Sequence, residues 1–211
     1  TTITGTRYGV KLDAGGPYTV ANSGEINSTA GTLSYGIDIN SITVTSINNT
    51  STGVIKADAT TGGRAYGINM GATASVGTLI NAGLISGSAA ITFGRGIHLT
   101  SSNIETLTNS GRILGVAGAS KGTGLFASQS TITTLTNSGI ISGSAGKTTA
   151  LGIHVYNTSS VGTITNSGTI SASAGTTIAV GIFVEDTSTV GTITNSGTIT
   201  ASAGDSTAVG I

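Results

Sequence analysis

The chain has no cysteine, no tryptophan and a single proline, and only 8% of its 211 residues are charged. Without cysteine there is neither a disulfide nor a thiolate metal site, which suits a protein that crosses a periplasm unfolded. Eight acidic residues balance eight basic ones with no basic stripe, so nucleic acid is not an expected partner. No apolar run approaches the ~18 residues of a spanning helix, so membrane attachment is expected only through other parts of a longer parent chain. Few aromatics and little charge do not spell disorder here. Disorder combines high charge with low hydrophobicity, whereas 37% of this chain is apolar.

What is abundant is glycine, 34 residues of it, together with threonine, serine and asparagine. A surface of hydroxyls and amides over β-branched apolar residues is a β-rich composition. The order of these residues repeats. Val190–Gly204 restates Val161–Gly175 with Thr200 in place of Ser171 as the only change. Asn-x-Gly recurs at Asn22, Asn81, Asn109, Asn137, Asn166 and Asn195, with a degenerate copy near Asn49 to Gly53. A glycine followed by an aliphatic residue recurs at Gly9, Gly36, Gly67, Gly96, Gly124, Gly152, Gly181 and Gly210, at spacings of 27, 31, 29, 28, 28, 29 and 29. No linker or shift in composition breaks the series. Residues 1–211 therefore read as one domain, and a chain that starts at Thr1 and stops inside a repeat at Ile211 is expected to be a section of something longer.

Within a unit the period is two. Thr163-Ile164-Thr165-Asn166, Thr169 to Ala174 and Val180 to Val184 alternate as short strands separated by Gly, Asn and Ser. The expected fold is all-β: a parallel β-helix, or β-solenoid, of about seven coils. Each coil would hold about 29 residues and three short strands. A coil cannot complete its own hydrogen bonds or bury its single apolar lining, so it stacks on the next, and identical side chains fall on one another. Leu107, Leu135, Ile164 and Ile193 are then one interior column.

Three sets of side chains stand out. The Asn-x-Gly corners at Asn81, Asn109, Asn137, Asn166 and Asn195 suit a left-handed tight turn. Alternation from Ile164 also points Asn166 inward, where stacked copies would bond amide to amide. The column after each Gly-aliphatic pair reads Lys11, Asp38, Asn69, His98, Phe126, His154, Phe183 and is expected to face outward. It would form either a contact ribbon for a protein, glycan or sister subunit, or a cross-coil stack covered by a neighbouring loop. His98 and His154, two coils or ~9–10 Å apart, are expected as surface histidines, too distant to share a metal. Finally, Thr106 with Thr108, Thr134 with Thr136, Thr163 with Thr165 and Thr192 with Thr194 would stack into two outward threonine rows. That array is similar to the face of ice-binding β-solenoids, although threonine also favours strands for its own sake. Many glycan-cleaving enzymes are β-helices, but the one adjacent acid pair, Glu185-Asp186, falls at a corner where a solvated turn is expected. No catalytic constellation, cofactor motif or metal motif is expected.

Repeats of the form Thr-Ile-Thr-Asn-Ser-Gly-Thr-Ile, followed after a Ser/Ala/Gly stretch by Val-Gly-Ile, resemble the passenger domains of Gram-negative autotransporters and related surface repeat proteins. The resemblance covers nearly the whole chain and is closest from Asn81 onward. It implies a right-handed parallel β-helix, exported through a C-terminal barrel and displayed on the outer surface of a Gram-negative cell. It further implies a non-catalytic stalk, adhesin or fibre. Its partners would be a host or bacterial surface protein, a glycan, or further copies joined through the coil ends. No barrel segment and no protease or lipase motif occurs in this sequence.

Overall fold

The computed structural model describes residues 1–211, which form 23 β-strands and no helix. The strands fall into three parallel sheets, each built from every third strand of the chain. The first sheet runs from Thr2–Gly5 to Thr198–Ala203, the second from Tyr8–Leu12 to Thr207–Val209, and the third from Tyr18–Asn22 to Thr189–Asn195. One coil contributes one strand to each sheet. The protein is thus a β-solenoid of about seven turns, close to 29 residues in each. In the best-repeated coil the strands are Ser160–Asn166, Thr169–Ala174 and Ile178–Val184.

Alternation explains the interior. Leu107, Leu135 and Ile164 pair in register and are fully buried, and Ile193 continues the column partly buried in the last full coil. The core has two zones. Where the three sheets converge, 29 residues, nearly all Ile, Leu and Val, make one continuous apolar cluster. Between the first and second sheets the space narrows to an alanine seam, in which Ala145, Ala172 and Ala174 meet Ala150 and Ala179. The Ser-Ala-Ser-Ala-Gly stretches are therefore small-residue stretches because the two sheets there lie too close for anything larger.

The Gly-aliphatic signal marks a bend in every strand of the second sheet. At Gly96 the ladder register skips one residue in passing from Arg95 to Ile97. A Cβ on Gly96 would stand 2.6 Å from Ile113 Cγ2 and 2.7 Å from the Gly124 carbonyl oxygen, so only glycine fits. The bend has a consequence for the outer surface. Arg95 and His98, three residues apart, project on the same outward side instead of opposite ones.

The corners differ from the sequence expectation. No glycine of the Asn-x-Gly corners has a left-handed backbone. Gly168 is required there because the Gly139 carbonyl oxygen of the coil below occupies the space a Cβ would need. Left-handed residues instead build the corner between the second and third sheets, at Ser41, Ala72, Thr73, Ser101, Gln129, Asn157, Thr158, Asp186 and Thr187. All nine have a Cβ and carry the strain of a positive φ.

Candidate functional site

Two side-chain columns run the length of the solenoid, one inside and one outside. The inner one is an amide row. Asn22, Asn49, Asn81, Asn109, Asn137, Asn166 and Asn195 are linked by six Nδ2–H to Oδ1 hydrogen bonds of 2.7–2.8 Å. The interior members from Asn49 to Asn166 are fully buried. Each Nδ2 from Asn49 to Asn166 is satisfied several times over. Asn109, for example, donates to Asn137 Oδ1 at 2.7 Å, to the Ile140 carbonyl at 3.1 Å and to its own Gly111 carbonyl at 3.3 Å. The corner thus closes on itself and on the coil that follows, without stranding a buried polar group.

The outer column lies on the second sheet, and the bend at each glycine shapes it. Two lines of residues face outward there. Tyr8, Tyr35, Tyr66, Arg95, Thr123, Leu151 and Val180 precede the glycine, and Lys11, Asp38, Asn69, His98, Phe126, His154 and Phe183 follow the aliphatic residue. Because the bend brings the two lines together, a single stack of rings crosses from one to the other. Tyr8, Tyr35, Tyr66, His98, Phe126, His154 and Phe183 contribute one ring per coil, with centroids 5.3, 5.7, 4.3, 5.3, 5.1 and 5.4 Å apart. Seven of the eight Tyr and Phe residues belong to the strands of this sheet, Tyr18 being the exception.

The expectation of an exposed ribbon with surface histidines is corrected by this geometry. Phe126 is 7% exposed and His154 2%, while His98 and Phe183 are half-buried. The rings form the alternative expected from the sequence, a cross-coil stack, each packed on its neighbours, with Arg95 over Phe126 and Tyr156 beside Phe126 and His154. Period-two counting places residues 95 and 98 on opposite faces, which is why the tyrosine line and Arg95 escaped notice. The residue before each recurring glycine, Tyr8, Tyr35 and Tyr66 in the first three coils, was the available signal.

Charge on this face is arranged unevenly. Asp38 is buried and accepts from Asn40 at 2.8 Å and Asn69 at 2.7 Å, and Asn69 Oδ1 accepts from His98 Nδ1 at 2.6 Å. Thr100 Oγ1 is 3.1 Å from His98 Nε2, so both ring nitrogens are engaged by a neutral imidazole. Burial, with Arg95 and Arg64 nearby, holds His98 well below the usual histidine range. Burial also pushes His154 down to about 3, with Lys121 and Arg95 acting in the same direction. Its Nε2 donates to Glu185 Oε1 at 2.7 Å, which leaves Nδ1 a buried acceptor without a partner. Glu185 thus turns into the ring stack, correcting the expected solvated turn, whereas Asp186 stays exposed at the left-handed corner. Phe126 stands between His98 and His154, and no three His, Asp or Glu side chains converge anywhere in the chain.

The threonines form two lines in register. Thr106, Thr134, Thr163 and Thr192 are successive partners on the third sheet, as are Thr108, Thr136, Thr165 and Thr194. Thr106, Thr134 and Thr163 are half-buried, and Thr165, Thr192 and Thr194 are exposed. Toward the N-terminus Thr78 and Ser46 continue the first line, and Ile80 and Asn48 replace threonine in the second.

The fold and these columns define the chain as a parallel β-solenoid repeat protein. No protein-family model, no curated protein and no solved structure matches it.

Proposed function

We propose that this chain is a rigid, non-catalytic section of a surface-displayed bacterial stalk or adhesin, of the autotransporter-passenger kind that its repeats resemble. The observation that carries this reading is the pair of continuous side-chain columns, amide inside and aromatic outside, that tie every coil to the next over the full length. A body that projects from a cell and bears load needs each unit fastened to its neighbours, and here the fastening is by buried hydrogen bonds and ring contacts as well as by the backbone ladders. The ring-bearing face of the second sheet is the surface offered to a partner, and the solenoid ends offer a second route to assembly by stacking. Electron microscopy of cells making the parent protein should show rods, and deleting residues 81–195 in frame should shorten them and reduce attachment to surfaces. Unchanged cells and unchanged attachment would overturn the proposal.

The registered threonine lines favour a second reading, an ice-binding face. A freezing-point hysteresis measurement on the purified domain decides it. No gap between melting and freezing points removes that reading and leaves the first untouched.

A further inference from the structure

We infer that the outward face of the second sheet around Arg95 is a subsite for a carboxylate-bearing saccharide, a hexuronate unit of an acidic glycan. The inference deepens the adhesive reading above and rests on it.

Arg95 is the least ordinary residue of this face. It is 8% exposed, its Nε is buried without a hydrogen-bond partner, and no carboxylate forms an ion pair with it. A buried arginine is ordinarily paired with an acid. This one is held by rings alone, its guanidinium carbon 3.6 Å from the centroid of Phe126, 5.3 Å from Phe93 and 5.5 Å from Tyr66. Two more cations stand beside it. Arg64 and Lys121 flank Phe93 in the ladder, one coil to either side. The chain's ion pairs are Lys11–Asp13 and Lys56–Asp58, and Glu185 accepts from a neutral His154, so neither Arg64 nor Lys121 has a carboxylate at ion-pair distance. Burial pushes Arg95 down to about 10, with Arg64 adding to the effect, and burial with Arg95 lowers Lys121. Three of the eight basic residues therefore crowd one face and repel one another.

A second orphan lies next to Arg95 in the same line. Thr123 is fully buried and its Oγ1 has no partner. Three of the chain's four unpartnered buried polar atoms, Arg95 Nε, Thr123 Oγ1 and His154 Nδ1, surround Phe126 on this one face. A planar guanidinium fixed by packed rings presents its donors without loss of side-chain freedom, and its fork matches a carboxylate.

The surroundings favour a sugar over a peptide. Each strand here is paired on both sides, so no open edge is left for a peptide backbone to join. The nearby half-buried groups include the hydroxyls of Thr100 and Thr149, of the kind that meets sugar hydroxyls, with one carboxylate, Glu185, close enough to act on Lys121.

Calorimetric titration of the intact domain with tetragalacturonate, a neutral tetrasaccharide and tetraglutamate tests this. Tetragalacturonate should bind, more weakly as salt rises, while the other two should not. R64Q and K121Q should each weaken that binding about tenfold, as expected for loss of one charge-assisted contact, and R112Q, an exposed charge removed from the first sheet, should not. R95Q should abolish it, and because Arg95 also packs against rings, the exposed Arg64 and half-buried Lys121 carry the decision. No binding of tetragalacturonate, equal binding of the neutral sugar or of tetraglutamate, or indifference to R64Q and K121Q would overturn the subsite. A domain that still adheres to cells with R64Q and K121Q in place would sink the subsite alone and keep the adhesive reading.

Discussion

The amide row and the ring stack have the same period and nearly the same length, yet they are written differently. Every interior place of the row is asparagine. The stack uses tyrosine, histidine and phenylalanine, and even changes from one line of residues to another between Tyr66 and His98. The row sits where one shape alone fits, since each amide must give and receive at fixed distances inside a closed corner. The stack needs only a flat ring of about the right size at the right height, because edge and offset contacts between rings are broad in geometry. Seven coils of one chain thus act as internal variants of each other, and they separate positions that tolerate one residue from positions that tolerate a class.

Measurements can break or sharpen that contrast. The largest effect is expected where a column faces inward. Ile164→Asp buries an unpaired carboxylate, which costs several kcal/mol, and should unfold the coil or the domain. Thr165→Asp, one residue away on the outside, should shift stability by less than ~0.5 kcal/mol. Equal losses in urea denaturation would mean that the inside and outside of the third sheet are misassigned.

Next comes Phe126, the buried phenylalanine of the stack. Phe126→Ala should destabilise by ~3 kcal/mol, from lost burial and three ring contacts, to His98, His154 and Tyr156. Phe126→His should cost less than ~1.5 kcal/mol, because the neighbouring coils already use histidine at this place. A histidine variant as damaged as the alanine would refute the tolerance claimed for the stack.

Asn137→Ala should destabilise by ~1–3 kcal/mol, leaving Asn109 without its acceptor and Asn166 without its donor. Asn195→Ala should lose less, since that residue has one amide neighbour and is exposed. Thermal unfolding of the two variants orders them, and equal shifts would show that turn shape, not the row, is what asparagine supplies.

The smallest effect is on pH. His154 is held at about 3 in the fold against 6.5 when unfolded, so the unfolded chain binds more protons between those values. Stability is therefore complete above pH 6.5 and falls as pH drops toward 3, and His98, also lowered, adds in the same sense. Neither ring should titrate by NMR between pH 8 and 5. A histidine seen titrating near 6.5 would place that ring in water.

The strands, the coil length and the interior column were legible because alternation and repetition are both counted directly along the chain. The inward pointing of Asn166 followed from the same count. The ring stack was only half legible. Counting by twos is valid along a straight strand, and the strand of the second sheet turns at Gly96, after which the count is one residue out. Left-handed backbone was also sought at the wrong corner. Asparagine and glycine suit such a backbone, but here they serve close stacking, while Thr73, Thr158 and Thr187 accept the strained geometry where the second sheet gives way to the third. Neither Arg95 nor Thr123 announces itself by type. Their interest comes from burial without a partner, which only packing reveals.

The amide row also has a direction. In each of its six bonds the nitrogen belongs to the earlier coil and the oxygen to the later one. Seven side-chain dipoles therefore point the same way along the axis, and aligned amide dipoles add and polarise one another, as peptide units do in an α-helix. A coil laid on in the opposite sense would set N–H against N–H. One laid on in the same sense meets an acceptor with a donor. The solenoid is thus a vector with unlike ends, and two such rods joined through this row can join only head to tail.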